Sequence, residues 1–117
     1  MITGKYPSLR LRRNRKYSWS RKLIQENTLS PSDFILPIFL IDGSNKKETI
    51  NSMPGVYRYT INRLSQIVDR AIKKKIPMVA LFPKTKNNLK NKIGSESLNE
   101  NNLVCRATIE IKKKYKN

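Results

Sequence analysis

The sequence predicts an α/β fold built on one strand–helix–strand unit. Two apolar runs, at 34–41 and 78–82, have the continuous hydrophobicity of strands buried in a parallel sheet. Between them, residues 60–75 repeat apolar side chains at the spacing of a single helical face. A strand–helix–strand unit of this length indicates a parallel, right-handed crossover. Periodicity alone therefore predicts an incomplete α/β unit and goes no further.

In front of the first strand, residues 1–28 are predicted to form a basic N-terminal arm. Residues 1–22 contain no acidic side chain, and Tyr6, Tyr17 and Trp19 are interleaved with the cations. A short helix is expected at 21–27. The basic positions of the arm are Lys5, Arg10, Arg12, Arg13, Arg15, Lys16, Arg21 and Lys22.

The approach to the first strand is predicted to be a turn. Ser30, followed by Pro31 and by Asp33 at the third position, suits a helix start of about one turn. Pro37 lies inside the predicted strand, although a proline removes a ladder donor and belongs at an edge or a strand end. A short extended piece is expected at 46–50.

The central helix has recognisable ends in the sequence. Thr60 is a suitable N-cap residue. Lysines at 73–75 place positive charge at the C-terminal end, where it complements the helix dipole. Pro77 ends the helix, because the residue before a proline is disfavoured in the helical conformation.

A polar stretch at 84–102 follows the second strand and is predicted to be a long loop. Loops of this length are usually functional or disordered. Asn102 or a neighbour is expected to cap a final helix with Val104, Ala107, Thr108 and Ile111 on one face. That helix ends in a lysine-rich segment.

The amino-acid composition limits the partners and the cellular setting that are expected for this chain. The chain has 117 residues, enough for one small domain, and a net charge of +17 that attracts nucleic acid or anionic lipid. Because the cations are scattered along the chain, a diffusely basic surface explains the same charge. One cysteine and no histidine exclude an internal disulfide and fit a reducing, cytoplasmic setting. No apolar run approaches a membrane span, and no apolar region of a signal peptide follows the basic N-terminus.

Several short segments carry a family signature through their order along the chain. Together they resemble the porphobilinogen synthase (5-aminolevulinate dehydratase) family over roughly residues 8–115. Ser97, Leu98 and Asn102 depart from the family pattern, in or beside the polar loop. The similar segments are Arg-Leu-Arg-Arg-Asn-Arg at 10–15, Leu-Ser-Pro-Ser-Asp-Phe-Ile-Leu-Pro-Ile-Phe at 29–39, Ser-Met-Pro-Gly-Val-Tyr-Arg at 52–58, Val-Ala-Leu-Phe-Pro at 79–83, Gly-Ser-Glu at 94–96 and Leu-Val-Cys-Arg-Ala at 103–107.

The resemblance implies an incomplete TIM (β/α)8 barrel. A closed barrel of this type takes about 250 residues, so residues 29–117 are expected to supply the first two βα units of a partial barrel. In the family the basic arm wraps a neighbouring subunit, which implies a homo-oligomer or a companion chain as partner. The family also places a proline at the position of Pro37.

The implied chemistry is the condensation of two 5-aminolevulinate molecules to porphobilinogen, a lyase step of tetrapyrrole and heme biosynthesis. The family uses two lysines on late barrel strands for Schiff bases, and zinc or magnesium as metal. This sequence has no Met-Val-Lys-Pro-like segment, and one cysteine without histidine cannot form a zinc site within one chain. We therefore assign no catalytic, cofactor-binding or metal-binding residue, and expect the chain alone to be inactive.

Several side chains that could carry chemistry are interpreted as ordinary structural residues. Lys84 follows a strand end, the functional face of a barrel, but is interpreted as a solvated lysine. Cys105 is interpreted as a semi-buried helix residue, and Phe82 as a core residue, although Phe82 and Pro83 would line a barrel mouth. The carboxylates show no paired spacing for acid–base work; they are Asp33, Asp42, Asp69, Glu96, Glu100 and Glu110.

An alternative function of a different class stays open. The basic arm with Tyr17 and Trp19 could bind nucleic acid through phosphate contacts and base stacking. No recognised nucleic-acid-binding pattern or glycine-rich phosphate loop accompanies it. The family arm accounts for the same basic residues, so nucleic acid is the less favoured partner.

Overall fold

The fold is an open four-stranded sheet with helices packed on one of its faces. The computed structural model describes residues 4–5, 7–9 and 12–116, so the predicted arm positions Tyr6, Arg10 and Leu11 lie outside the described residues. The helices and strands are α1 (Ser18–Leu23), β1 (Ile35–Leu40), β2 (Lys47–Thr49), β3 (Tyr57–Tyr59), α2 (Leu64–Lys73), β4 (Met78–Pro83) and α3 (Leu103–Lys114).

Strand β1 is central, and the sheet order is β2-β3-β1-β4. Strands β1 and β4 are parallel over six residue pairs, from Ile35 opposite Met78 to Leu40 opposite Pro83. The predicted parallel pairing of the two apolar runs across a helix is therefore confirmed.

A small hairpin forms the other side of the sheet, and only one of its two strands carries a recognisable sequence pattern. The extended piece expected at 46–50 is β2, which pairs antiparallel with β3. Strand β3 was not predicted. It runs parallel to β1 but pairs only with Phe39 and Leu40. Its three residues, with a central arginine, are too short to give a periodic signal.

Pro37 is tolerated because much of β1 has one free side. Since β3 reaches only the last two residues of β1, Ile35–Ile38 behave as an edge strand towards β3. A proline at an edge removes no donor that a neighbouring strand requires.

The core lies between the sheet and helices α2 and α3. Ile38 and Leu40 of β1 point into it, and Ala107 of α3 is fully buried against it. Because side chains alternate across a strand, Ile35, Pro37 and Phe39 point to the opposite face. The buried core residues are Ile38, Leu40, Tyr59, Leu64, Ile67, Val68 and Ala107.

The first turn ahead of α2 differs from the prediction. Ile61–Arg63 form a 3-10 turn, and the α-helix itself starts at Leu64. Thr60 has the extended backbone of an N-cap, but its side chain makes no capping bond. Its buried hydroxyl accepts the Lys46 backbone N–H at 3.0 Å and donates to Asn62 Oδ1 at 2.8 Å. Thr60 therefore ties the segment between β1 and β2 to the start of the helix.

Helix α2 ends at Lys73, two residues before the predicted end. Lys75 has a left-handed backbone with φ +57°. Its N–H donates to the Ile72 carbonyl at 2.9 Å, and the Ile76 N–H donates to the Ala71 carbonyl at 3.0 Å. These two bonds form a Schellman motif, in which the left-handed position is usually glycine.

The polar loop and the last helix follow the sequence expectation closely. Residues 84–102 contain two 3-10 turns, at Asn87–Leu89 and Ser95–Leu98. Asn102 caps α3, as predicted: its Oδ1 accepts the Cys105 backbone N–H at 2.8 Å.

The N-terminal segments differ in position from the prediction. Helix α1 occupies Ser18–Leu23, earlier than the expected 21–27. The turn before β1 has the predicted form, because Ser30 and Asp33 make a reciprocal capping box around a single 3-10 turn. Within the described part of the chain, no helix is both long enough and apolar enough to cross a membrane.

Candidate functional site at the carboxyl end of the sheet

A cleft of about 750 Å³ lies where β1 and β4 end. The polar loop forms one wall, and the first turn of α3 forms another. Open parallel sheets bind ligands at the carboxyl ends of their strands, so this is the position at which a site is expected. The charged residues that line the cleft are Asp42, Lys84, Lys86, Lys90, Glu96 and Arg106.

Asp42 connects three parts of the cleft. Its carboxylate contacts Lys86 Nζ at 3.0 Å and Arg106 Nη2 at 3.2 Å, which joins the end of β1 to the loop and to α3. Hydrogen bonds from Lys86 and then from Arg106 lower the pKa of Asp42, against a smaller opposing effect of burial. The carboxylate is therefore held ionised as a structural link.

A second carboxylate binds the candidate lysine. Glu48 Oε1 contacts both Lys84 Nζ and Arg58 Nη1 at 2.7 Å. The hydrogen bond from Lys84 is the largest cause that lowers the pKa of Glu48. Lys84 thus lies at the end of β4 as predicted, but its ammonium is engaged by a carboxylate, whereas a Schiff base requires a free neutral amine.

The other chemically interesting side chains are dispersed. Cys105 is half-buried in the first turn of α3, on the cleft wall. Asp33 belongs to the turn before β1, and Asp69 hydrogen-bonds the Tyr115 hydroxyl. Among the described residues, no group of three or more metal-binding side chains comes together.

Phe82 does not occupy the core. Its side chain is 49% exposed and packs against Phe39, with ring centroids 5.6 Å apart, on the sheet face opposite the core, where none of the described helices packs. The interpretation of Phe82 as a core residue was wrong, because the helices cover only the opposite face. Pro83, in contrast, lines the cleft.

Aromatic and cationic groups of the arm lie together. The Tyr17 and Trp19 rings stack with centroids 6.2 Å apart and planes 7° apart. Lys16 Nζ lies 5.2 Å from the centre of the Tyr17 ring. Arg21 donates to the Arg15 carbonyl at 3.0 Å, so the arm has a local structure of its own.

Sequence reasoning missed the roles of Arg58 and Arg106. Arg106 and its partner Asp42 are 64 residues apart, and no local sequence pattern at either position predicts their ion pair. Only the parallel packing of β1 beside β4, followed by α3, brings them together.

Comparisons with known proteins agree with this architecture. The family model "Delta-aminolevulinic acid dehydratase" matches residues 8–117. The curated relative from Bradyrhizobium diazoefficiens is 49% identical over 92% of this chain and 31% of its own length. The relative from Chlamydia pneumoniae is 41% identical over 92% of this chain and 32% of its own length. The chain thus spans about a third of the length of these relatives.

A solved structure gives the same result at the level of the fold. The Toxoplasma gondii delta-aminolevulinic acid dehydratase (porphobilinogen synthase), determined with the reaction product porphobilinogen, superimposes with a TM-score of 0.78 at 37% identity. The match covers 92% of this chain and 30% of that one. The predicted incomplete TIM barrel is therefore confirmed as a partial α/β barrel fold. The chain belongs to the delta-aminolevulinic acid dehydratase family.

Proposed function

We propose that this chain supplies the early βα section of a porphobilinogen synthase, and that the 117-residue chain by itself forms no porphobilinogen. The observation that carries the proposal is the make-up of the two paired barrel strands. Strands β1 and β4 lie side by side as a barrel requires, yet Ile-Leu-Pro-Ile-Phe-Leu and Met-Val-Ala-Leu-Phe-Pro contain no lysine. The resemblance places the Schiff-base lysines on later strands.

The substrate belongs to the completed enzyme. We infer that 5-aminolevulinate is bound only when the later strands are present, because the only lysine directly after β4, Lys84, is ion-paired with Glu48. The described residues also do not fit the zinc of the family, since they bring together no group of three or more metal-binding side chains. No step through a metal is assigned to this chain.

The proposed organisation is a basic arm at 1–28 and a partial barrel at 29–117. Hydrogen bonds that stay within the arm support this division, such as the Ser20 hydroxyl to the Asn14 carbonyl at 2.6 Å. The proposed partner of the arm is a neighbouring subunit or a companion chain. The proposed location is the cytoplasm, which the single cysteine fits.

The test is a colorimetric assay for porphobilinogen with 5-aminolevulinate as substrate. The purified chain is expected to give no product above the protein-free blank, whereas the complete Bradyrhizobium relative serves as the positive control. Zinc and magnesium are each added in parallel, so that a missing metal cannot explain a negative result. Formation of porphobilinogen by the chain alone would overturn the proposal.

A second function is favoured by one observation, the stacked Tyr17–Trp19 pair among the cations of the arm. Such a platform suits single-stranded nucleic acid, because bases stack on aromatic rings and phosphates bind cations. The logarithm of the affinity for a fluorescent single-stranded oligonucleotide would then fall linearly with the logarithm of the salt concentration. Loss of binding in Trp19→Ala would locate it in the arm, and equal binding by Trp19→Ala would indicate only the general charge of +17.

A further inference from the structure

The ends of helices α2 and α3 bring together cations that lie far apart in the sequence. Residues 69–75 and 109–116 hold eight of the 25 lysines and arginines but only two carboxylates. The Tyr115 hydroxyl, just after α3, contacts the Asp69 carboxylate and the Ser65 carbonyl on α2, so the end of α3 lies against α2. We call these exposed cations the lysine surface. They are Arg70, Lys73, Lys74, Lys75, Lys112, Lys113, Lys114 and Lys116.

Little of the charge of the lysine surface is neutralised within the chain. Glu110 pairs with Lys113 at 3.0 Å, and Asp69 accepts the Tyr115 hydroxyl. Among the residues that the structure describes, no carboxylate lies within salt-bridge distance of the other seven cations. A concentrated positive field of this kind attracts an extended anionic partner.

The lysine surface points away from the core. On α2 the side chains of Ile67 and Val68 are buried. Arg70 and Lys73, which are three residues apart, share a different and exposed face of the same helix. Because the helices of a (β/α)8 barrel form its outer ring, this face stays on the outside when a barrel is complete.

Two isoleucines are exposed among these cations. Ile72 directly precedes Lys73 and is 56% exposed. Ile109 is 52% exposed and, by helical spacing, shares a face of α3 with Lys112 and Lys113. A lipid bilayer can bury such isoleucines at the boundary of its acyl chains while neighbouring lysines extend to the head groups. The phosphate backbone of a nucleic acid offers no comparable apolar layer.

We propose that the lysine surface binds an anionic lipid membrane from the aqueous side, with Ile72 and Ile109 against the outer part of the acyl chains. Clusters of about four to eight lysines and arginines on a helical surface are typical of anionic lipid binding. Seven of the eight cations are lysines, which act as point charges, whereas arginine makes the bidentate contacts of specific phosphate recognition. Tyr115 is half-buried and bonded to Asp69, so this surface lacks a free aromatic ring for base stacking. The inference goes beyond the proposed function and does not depend on it.

The test measures co-sedimentation of the purified chain with lipid vesicles. Vesicles of phosphatidylcholine mixed with phosphatidylglycerol are expected to bind the chain more tightly than vesicles of phosphatidylcholine alone, and added salt should weaken that binding. The triple variant Lys73→Gln, Lys112→Gln and Lys116→Gln should bind the mixed vesicles about a hundredfold more weakly, at about fivefold for each lysine. Glutamine has nearly the helix propensity of lysine, so these exposed substitutions should leave the fold unchanged.

The matched control removes three lysines from the other cation-rich segment, the N-terminal arm. Lys5→Gln, Lys16→Gln and Lys22→Gln, combined in one variant, lower the net charge by the same amount at positions that are also exposed. Because these lysines lie outside the lysine surface, their removal should weaken vesicle binding less than about tenfold.

A second pair of variants separates lipid from nucleic acid. Ile109→Gln should weaken binding to the mixed vesicles about fivefold, because it removes an apolar contact with the acyl chains. It should leave the affinity for a single-stranded oligonucleotide unchanged. Ile93→Gln, at a position that is 86% exposed in the polar loop, should change neither affinity.

The outcomes decide between three explanations of the charge. A larger loss of vesicle binding in the triple variant of the lysine surface than in that of the arm, together with weakening by Ile109→Gln, supports the inference. Absence of binding to the mixed vesicles, equal binding to both kinds of vesicle, or an equal or larger loss in the arm variant overturns it. Unchanged vesicle binding by Ile109→Gln would overturn the choice of lipid over nucleic acid.

Discussion

Lys75 is predicted to be a poor residue for its position, and glycine is expected to stabilise the protein there. The left-handed backbone of Lys75, with φ +57°, costs a non-glycine residue about 1–2 kcal/mol. Replacement by glycine relieves that cost but adds about 0.5–1 kcal/mol of unfolded-state entropy. Lys75→Gly is therefore expected to raise the free energy of unfolding by roughly 0.5–1 kcal/mol.

The neighbouring residue supplies the control. Lys74 has φ −89°, which any residue adopts, so Lys74→Gly adds the entropy without relieving strain. Both variants remove one lysine from the end of the same helix, so changes in charge cancel between them. Their free energies of unfolding should differ by about 1–2 kcal/mol, measured by urea denaturation at pH 7. Equal destabilisation by the two substitutions would refute the strain argument.

Three further predictions concern individual polar contacts. Asp42→Asn should lower the free energy of unfolding by about 0.5 kcal/mol at pH 7 because the two ion pairs are lost. Since hydrogen bonds from Lys86 and Arg106 lower the pKa of Asp42 from its ordinary value of 3.8, this contribution is present above pH 3.8 and is lost as the pH falls through the lowered folded-state pKa, so wild type and variant should converge in chemical denaturation as the pH falls below 3.8. Tyr115→Phe should cost about 1 kcal/mol through loss of the bond to Asp69. Burial and then the hydrogen bond to Asp69 raise the pKa of Tyr115 to about 12. The free energy of unfolding of the wild type should therefore decline between pH 10 and pH 12, as Tyr115 ionises in the unfolded chain before it does in the folded one, and Tyr115→Phe should lack this decline. Thr60→Val should cost about 0.5–1.5 kcal/mol, because the Lys46 backbone N–H then loses the hydroxyl of the buried Thr60 as its acceptor. Thr60→Ser, which keeps the hydroxyl, should cost less in the same thermal unfolding assay.

The elements with strong local patterns were predictable. Strands β1 and β4 are continuous apolar runs, and α2 repeats apolar side chains with helical spacing, so each carries its own signal. Strand β3 has three residues and exists through pairing with β1 and β2, which no local pattern reveals.

The candidate site was less predictable than the fold. The position of Lys84 at a strand end followed from the sequence, but its ion pair with Glu48 spans 36 residues. Phe82 was misjudged because hydrophobicity indicates that a strand is buried, not which of its faces is covered. That information depends on the elements packed against the sheet, which are tertiary features.

The single-sided core also has a calorimetric consequence. Unfolding raises the heat capacity because it exposes apolar surface to water, by about 12–15 cal/mol/K per residue in ordinary domains. Here the side chains of Ile35, Met78 and Phe82 are already exposed to solvent in the folded chain. The heat-capacity increase per residue on unfolding should therefore fall below that range. A smaller heat-capacity change flattens the dependence of stability on temperature, which makes cold denaturation less pronounced. The folded protein should also bind hydrophobic dyes, a behaviour that would otherwise be mistaken for a molten globule.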